Sequence, residues 1–396
     1  MPAVCIYFQV HQPLRHRRFS VFDIGKGLPY EDEEMNRQIL EKVADKCYLP
    51  ANLLLRELIE KYEGKFRLSF SLSGIILEQL QRYRPEVLDS FVNLAQTGAV
   101  EFLGETYYHS LASLFSLPEF RAQVKLHQAA MEKHFKFTPR VFRNTELIYS
   151  DALAEEVEKM GYQAMLAEGA DRILGWRSPN FVYQSARGSL RILLRNYRLS
   201  DDVAFRFSDR SWSEYPLMAD KFARWIKEAA AGCQIINLFM DYETFGEHQW
   251  ADTGIFEFLR ALPEEILKLS DLNFLTPSEV IDVYEPVGSL NVPEPMSWAD
   301  VERDLTAWIG NHLQNDAIKT LYGLEKVVQQ AKDDGLLEAW RKLQTSDYFY
   351  YMCTKWFADG DVHKYFNPYP SPYEAYINYM NIIDDFTRRV GGGKEA

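Results

Sequence analysis

The sequence predicts an α/β protein in which mainly parallel strands form a sheet or a barrel. Short runs rich in Val, Ile, Phe and Tyr recur through residues 4–276, and segments with helical spacing separate them. This alternation is typical of parallel β/α units, because parallel strands need a long crossover between them. No run of 18 or more apolar residues is present that could span a bilayer.

Seven or eight runs are predicted as strands, each because it is apolar or alternating over a strand-sized length. In chain order they occupy residues 4–10, 66–72, 100–108, 141–149, 162–169, 191–199, 234–241 and 272–276. Helices are predicted between them, near residues 36–63, 75–97, 118–134, 150–160, 215–230 and 254–268. The helix near 150–160 has a start signal at Ser150 and Asp151 and a stop signal at Gly161.

The strand pattern stops after Pro277. Residues 283–298 contain three Pro and are predicted to form a linker. Helical stretches follow to about residue 345, then an aromatic loop, and a last helix near residues 372–389. The chain therefore divides into a β/α region and a helical C-terminal region.

The composition excludes several classes of protein. With 47% apolar and 26% charged residues among 396, the chain has enough material for a large core, which excludes a disordered chain or a small disulfide scaffold. The net charge of −13 argues against nucleic acid as a partner and fits a neutral one. Aromatic residues make up 14% of the chain, which is more than a core usually needs and predicts flat binding surfaces.

We expect a cytoplasmic protein without a membrane partner. The first segment, MPAVCIYFQVHQP, has no basic region, long apolar region or cleavage site. The four Cys residues are far apart and form no CxxC, which predicts reduced thiols rather than a zinc site or a disulfide framework. Nothing in the sequence determines an oligomeric state.

Polar residues collect where the predicted strands end, and in barrels and open α/β sheets these ends build the active site. In chain order they are His11 and Gln12, Ser71 and Ser73, Glu105, Tyr107 and His109, Glu146, Glu168, Asp201 and Asp202, and Asp241, Glu243 and His248. Carboxylates are rare in strands made of Ile, Leu, Phe and Met unless they are paired or functional.

Structural interpretations of these residues stay open. Glu146 and Asp241 could form an ion pair with Arg143 or another base, although two acids on separate strands at one barrel end more often serve chemistry. His11 and His109, taken singly, could be buried side chains bonded to the backbone. Their joint position at strand ends favours binding.

The clustered His, Asp and Glu residues raise the question of metal chemistry. A hydrolytic zinc site needs three protein ligands, but position 13 is Pro, so the HxD pattern is absent. No HExxH, GxSxG, Walker loop or GxGxxG occurs in a suitable setting. We therefore predict a carboxylate pair without a cofactor. Two carboxylates with aromatic walls suit glycoside chemistry, because aromatic rings stack on sugar faces and polar groups bind the hydroxyls.

At these same residues the sequence resembles the α-amylase and 4-α-glucanotransferase group of glycoside hydrolase family 57. Five short motifs occur in order: HQP (11–13), GETYYHSL (104–111), FRNTELIY (142–149), MDYETFGEHQW (240–250) and SDYFYYMCTKW (346–356), the last followed by DGDVHKYFNPY (359–369). The resemblance spans about the whole chain. It implies an incomplete (β/α)7 barrel catalytic domain over residues 1–283 and a helical C-terminal region over residues 284–396 that contributes to the active-site cleft.

The resemblance also implies roles for individual residues. Glu146 falls at the family's nucleophile and Asp241 at its general acid/base, so a retaining double displacement on α-1,4-glucan is expected, with the carboxyls about 5–5.5 Å apart. Substrate-binding residues are expected at His11, Gln12, His109, Glu243, His248, Trp250, Asp347 and Tyr351, the last at a position where some relatives carry Trp.

Several activities stay open at this point. The chain is short for the family, which favours an α-amylase that acts on α-glucan or maltooligosaccharides. A 4-α-glucanotransferase would use the same carboxylates with a sugar as the acceptor, and a branching enzyme is a third possibility. A non-catalytic glucan-binding protein would use only the aromatic surfaces, and a metal-dependent deacetylase or mannosidase on a related barrel is the remaining alternative.

Overall fold

The computed structural model describes residues 1–355 and 367–392, so most of DGDVHKYFNPY (359–369) lies outside the described residues. The strands are β1 Ala3–Val10, β2 Leu68–Leu72, β3 Val100–Phe102, β4 Val141–Arg143, β5 Ala164–Glu168, β6 Tyr183–Ser185, β7 Arg191–Arg195, β8 Ile235–Asp241, β9 Asn273–Phe274 and β10 Ser289–Leu290. The helices are α1 Glu33–Val43, α2 Leu49–Lys61, α3 Gly74–Tyr83, α4 Pro85–Gln96, α5 Ala112–Phe115, α6 Leu117–Phe135, α7 Asp151–Lys159, α8 Asp171–Leu174, α9 Tyr197–Ala204, α10 Ala219–Ala230, α11 Ile255–Leu267, α12 Pro277–Val283, α13 Thr306–Ile309, α14 His312–Gly323, α15 Glu325–Ala331, α16 Asp334–Lys342, α17 Ser346–Tyr350 and α18 Pro372–Gly392.

The strands form two sheets that together make an incomplete (β/α)7 barrel, as predicted. One sheet has the order β3-β2-β1-β8, with β9 also paired to β1, and the other has the order β10-β6-β7-β5-β4. All pairs are parallel except β6 with β7. A bridge between Gly104 and Phe142 joins the sheets on one side. On the other side the Asn196 N–H donates to the Asn237 carbonyl at 2.9 Å.

Strand β1 is the central strand and aims residues alternately inward and outward, because successive side chains of a strand point to opposite faces. All eight of its residues are buried. Val4, Ile6 and Phe8 pack with the helices outside, whereas Cys5 and Tyr7 belong to a separate cluster inside the barrel. The same parity directs the residues at positions 9 and 11 toward the interior, which is how β1 delivers His11 to the site.

Each predicted strand run contains a strand, but three runs were predicted too long. The strands in residues 100–108, 141–149 and 191–199 end at Phe102, Arg143 and Arg195, where polar residues leave the ladder. Strands β6 and β10 were not predicted from the sequence. They have three and two residues, which is too short to show the alternation of apolar and polar residues that marks a strand. Strand β10 lies in the segment predicted as a linker.

The predicted helices are confirmed, with two differences of detail. The helix near residues 36–63 is α1 and α2 joined by a π-helical turn at Ala44–Tyr48. Pro85 divides the helix near 75–97 into α3 and α4, because proline is accepted only in the first turn of a helix. Ser150 caps α7 as predicted, and its side chain accepts from the Leu153 N–H.

The C-terminal helices pack into a hydrophobic cluster that includes barrel residues. Trp308, Trp340 and Phe386 lie at its core, and Phe19 and Ile148 join it from the barrel side. Burial of large aromatic side chains of this kind stabilises by about 1.5–3 kcal/mol each. No helix in residues 1–355 and 367–392 is long and apolar enough to cross a membrane.

Candidate active site

A cavity of about 1160 Å³ opens where β1, β4 and β8 end. His11, His109, Glu146, Asp241 and Asp347 all line it, as do Gln12, Glu243, His248 and Tyr351.

Nine of the ten catalytic and binding residues predicted from the sequence line this cavity, and they come from five stretches of the chain; Trp250 does not line it. The nine are His11, Gln12, His109, Glu146, Asp241, Glu243, His248, Asp347 and Tyr351. Residues as far apart in sequence as His11 and Asp347 therefore meet at one end of the barrel.

Glu146 follows β4 on a short 3-10 turn, Thr145–Leu147, and has left-handed backbone angles of φ 57° and ψ 27°. His109, which follows β3, is also left-handed, with φ 49°. A residue other than glycine in this region costs about 1–3 kcal/mol, and such strain collects at functional sites. The turn after β4 is thus held in a costly conformation that presents the carboxylate to the cavity.

Three donors hold the Glu146 carboxylate. His109 Nε2 lies 3.2 Å from Oε1, and the Ser346 hydroxyl donates to the same oxygen at 3.3 Å. The Trp298 indole N–H donates to Oε2 at 2.7 Å. Both oxygens are therefore fixed, one by Ser346 of α17 and His109 after β3, and the other by Trp298 in the segment before α13.

His109 lies between two carboxylates, since its Nδ1 is 3.1 Å from Glu105 Oε2. Burial opposes its charge, but the bonds to Glu105 and Glu146 raise its pKa to about 9. For Glu146, burial acts to raise the pKa, but the bond and positive charge of His109 outweigh it and lower the pKa to about 2. The imidazolium thus keeps Glu146 ionised at neutral pH.

Asp241 is the last residue of β8, and its pKa is shifted in the opposite direction to that of Glu146. Burial, followed by the negative charge of Glu146, raises its pKa to about 6. Arg143, His109 and Arg195 act against this rise. The two carboxyls therefore differ in protonation over a wide pH range, although both lie at the same barrel end.

Glu243 is buried two residues after Asp241. It accepts from the Tyr48 hydroxyl through a short hydrogen bond, and Gln12 Nε2 donates to it at 3.4 Å. Burial and the charge of Asp241 raise its pKa to about 8. Gln12 is itself held, because Arg15 donates to its Oε1 at 2.9 Å.

His11 faces His109 with their rings stacked, 3.9 Å between centroids and 20° between planes. Its Nδ1 lies 2.7 Å from the Ser73 hydroxyl, and its Nε2 lies 3.1 Å from Asp347 Oδ2. Burial, helped by the neighbouring His109, lowers the pKa of His11. We infer a neutral His11 beside a charged His109.

His11, His109 and Asp347 are also the residues that could hold a metal ion, since one ligand atom from each lies within 4.8 Å of the others. A metal bound to imidazole lies near the plane of the ring. Two nearly parallel rings 3.9 Å apart cannot both direct a nitrogen in plane at one ion. The residues present therefore fit a metal only after they rearrange.

The remaining predicted residues differ in their setting. His248 is partly buried, and burial lowers its pKa to about 4. Tyr351 follows α17 and is 5% exposed. Trp250, by contrast, is 52% exposed with Lys46 Nζ 5.2 Å from its ring centroid, so the structure does not bring it to the cavity. Its role in substrate binding stays a prediction.

The contacts of two arginines bear on the acidic residues predicted at strand ends. None of the Arg143 guanidinium nitrogens has a hydrogen-bond partner in the described part of the chain, so Arg143 does not form the ion pair considered for Glu146 and Asp241. Glu168 and Asp201 are a different case, because both pair with Arg195, at 3.2 and 2.5 Å. Glu168 at the end of β5 and Asp201 in α9, predicted to follow a strand, therefore form a buried ion network with Arg195.

Two residues that touch Glu146 were not predicted from the sequence. Ser346 precedes Asp347 in the fifth motif, so its place beside a motif residue was a usable signal. Trp298 lies at the end of the segment predicted as a linker, and no local pattern distinguished it. Tyr48, which bonds Glu243, was missed because it lies in a predicted helix among apolar residues.

The sequence matches the model of glycosyl hydrolase family 57 over residues 5–293. The chain belongs to this family. A candidate α-amylase of Methanocaldococcus jannaschii is 45% identical over 392 residues, which is 96% of this chain and 83% of that protein. An α-amylase of Pyrococcus furiosus is 21% identical over 264 residues, which is 64% of this chain and 38% of that protein.

Solved structures with low sequence identity share the fold. A branching enzyme of Thermococcus kodakaraensis matches with a TM-score of 0.70 and 13% identity, over 96% of this chain and 88% of that one. A 4-α-glucanotransferase of Thermococcus litoralis matches with a TM-score of 0.69 and 15% identity, over 88% of this chain and 56% of that one. At these identities the likeness shows the fold alone.

Proposed function

We propose that this family 57 protein is a retaining glycosidase acting on α-1,4-glucans, with Glu146 as the nucleophile and Asp241 as the general acid/base. The observation that carries the proposal is that the pKa values of the two carboxyls are shifted in opposite directions. The pKa is about 2 for Glu146 and about 6 for Asp241. Between these values one group is ionised for attack and the other is protonated for the leaving oxygen.

In the first step Glu146 attacks the anomeric carbon while the glycosidic oxygen takes the proton of Asp241. The bond from carbon to the leaving oxygen breaks as the bond to the carboxylate forms. His109 and Trp298 hold the attacking group, since each donates to one of its oxygens. Orientation of this kind lowers the barrier because little freedom is left to lose.

In the second step Asp241 works as a base. Once Glu146 is esterified it carries no negative charge, so one of the two main causes that raise the pKa of Asp241 disappears. The pKa of Asp241 then falls, and its carboxylate takes a proton from water as the water attacks the glycosyl ester. A sugar hydroxyl at the same place would give transfer instead of hydrolysis.

The substrate class is proposed from the names of the relatives and from the cavity. Those names are α-amylase, branching enzyme and 4-α-glucanotransferase. The cavity combines ring faces at Trp298, Tyr350 and Tyr351 with polar edges at His11 and Asp347, which suits a neutral sugar chain. We propose hydrolysis, of the α-amylase type, because the relative at 45% identity is named for it. A glucanotransferase is the second candidate, since it needs the same residues.

The test is incubation with maltoheptaose and analysis of products over time. Wild type is expected to yield only shorter oligosaccharides, with the released end in the α configuration when NMR is read before mutarotation. Asp241→Asn and Glu146→Gln should each lower kcat by on the order of 10²–10⁴-fold. Glu41→Gln, a change on the exposed side of α1, is the matched control.

Other outcomes would replace the proposal. Lengthened products would indicate a glucanotransferase, and a β-configured product would exclude retention. Unchanged turnover in Glu146→Gln, or glucan binding by a wild type without turnover, would exclude the proposed catalytic pair and support a glucan-binding protein.

A further inference from the structure

An arginine lies behind the nucleophile without any conventional partner. Arg143 is the last residue of β4 and is fully buried, at 0% exposure. Its Nε and both terminal nitrogens lack hydrogen-bond partners in the described part of the chain. Buried arginines are almost always paired, because an uncompensated charge in the interior is costly. The presence of an unpaired guanidinium in the interior therefore needs a physical reason.

The closest aromatic contact of Arg143 is the ring that holds the nucleophile. Its guanidinium carbon lies 4.8 Å from the centroid of the Trp298 ring, within the range of a cation–π interaction. Trp298 is bonded to Glu146 twice, through the indole N–H to Oε2 at 2.7 Å and through the backbone N–H to the carbonyl at 3.2 Å. A shift of the indole would therefore shift the carboxylate.

Arg195 lies near the same indole ring, but its guanidinium is paired. Its guanidinium carbon is 5.8 Å from the Trp298 centroid, but its nitrogens also donate to Glu168, Asp201 and the Phe239 carbonyl. The Arg143 guanidinium makes no such hydrogen bonds within residues 1–355 and 367–392. Its positive charge acts instead on Glu146 and Asp241 through space and lowers the pKa of both.

We propose that Arg143 is a positioning residue of the active site. It holds the Trp298 indole against the nucleophile, and its positive charge partly compensates the negative charge of the two catalytic carboxyls. This inference rests on the proposed function of that pair. Arg143 does not line the cavity, so it acts through Trp298 and through its field rather than by contact with substrate.

Other charged and titratable groups face the same pair and stay unchanged in the test. They are His109, Arg195, Glu105, Glu243, Tyr7 and Tyr350. Because these groups are common to all variants, a difference between variants reports on the substituted side chain.

The experiment compares pH profiles of kcat/KM for Arg143→Met, Arg143→Lys and Trp298→Phe on maltoheptaose. In Arg143→Met the loss of the cation raises the pKa of both carboxyls, so both limbs move to higher pH and the maximum falls by on the order of 10²-fold. Arg143→Lys keeps the charge but not the planar group, so its limbs stay while its maximum falls. Trp298→Phe loses only the bond to Oε2, so its acidic limb alone moves up.

Arg140→Met is the control, since Arg140 is three residues earlier and pairs with Asp282 near the surface. It should leave both limbs and the maximum unchanged. A profile of Arg143→Met that keeps the wild-type limbs, at any height, overturns the proposal. If Arg143→Met does not fold, as judged by circular dichroism, unmoved limbs in Trp298→Phe or an unchanged maximum in Arg143→Lys overturn it.

A second readout does not depend on activity. The ¹⁵N–¹H indole signal of Trp298 is the one lost in Trp298→Phe, and it should shift in both Arg143 variants but not in Arg140→Met. An unshifted signal overturns the proposal. A wild type inactive on α-glucans would overturn the proposed function, and the indole signal would still report whether Arg143 positions Trp298.

Discussion

Single residues in the site are tuned by their immediate partners. His109, between Glu105 and Glu146, is held as a cation, with a pKa of about 9. That cation keeps Glu146, the proposed nucleophile, ionised. Burial, followed by the negative charge of Glu146, raises the pKa of Asp241 to about 6, whereas the charge of His109 acts to lower it. The imidazolium therefore fixes the charge of one carboxyl, while burial and the charge of Glu146 together favour the protonated form of the other.

The pH dependence of activity follows from these values. Because Asp241 must carry a proton in the first step, kcat/KM is expected to fall as the pH rises through about 6. Because Glu146 must be ionised, the acidic limb should lie near pH 2 and activity should persist through the range between. Initial rates on maltoheptaose at low substrate concentration measure this profile. An alkaline limb above about pH 8 would contradict a pKa of about 6 for Asp241.

Chelation tests the residues that could hold a metal. The stacked rings of His11 and His109 are engaged in hydrogen bonds rather than aimed at one point, so activity should not change after dialysis against EDTA. The measurement is kcat/KM on maltoheptaose before and after dialysis, with added Zn²⁺ as the reverse arm. Loss of activity that Zn²⁺ restores would overturn the two-carboxylate mechanism.

At the scale of elements, the segment after β8 carries much of the site on one turn. Gly246 donates its N–H to the Gln249 carbonyl at 2.9 Å, and this closes the turn between Glu243 and His248. Its φ is +113°, which favours glycine. The segment MDYETFGEHQW therefore contains a glycine for a backbone reason, beside residues that line the cavity.

Gly246→Ala should destabilise the protein and weaken catalysis. An added Cβ would lie 2.0 Å from the Lys46 carbonyl oxygen, in addition to the cost of the left-handed backbone. We expect a loss of at least about 2 kcal/mol in the free energy of unfolding. Denaturant unfolding measures it. Gly64→Ala is the control, since its φ is +73° with nothing within 4 Å of the Cβ, and an equal loss in both variants would contradict the steric argument.

At the scale of the whole molecule, residues from both parts of the chain line the cavity. Strands β1, β4 and β8 present His11, Glu146 and Asp241, whereas Trp298 and Asp347 come from beyond residue 283. The hydrophobic cluster around Trp308 and Trp340 also includes residues of the first 283. We propose that residues 284–396 complete the cleft rather than form an independent module.

A chain ending at residue 283 should therefore lack glucan turnover and be prone to aggregation. The cut exposes apolar side chains such as Phe19 and Ile148, and it removes two of the donors to Glu146, from Trp298 and Ser346. Size-exclusion chromatography and turnover of maltoheptaose measure the effects, with the full chain as reference. A monomeric fragment with near-normal turnover would contradict the proposal.

The sequence by itself predicted eight of the ten strands in the described part of the chain, the long helices between them, the barrel end where polar residues collect, and nine residues that line the cavity. These follow from short-range periodicity and from motifs, which the chain carries locally. Only the tertiary structure decided that Trp298 bonds Glu146 and that Arg143 stands unpaired behind it. Contacts between residues 152 positions apart depend on how helices and loops close over the barrel, and no local pattern specifies that closure.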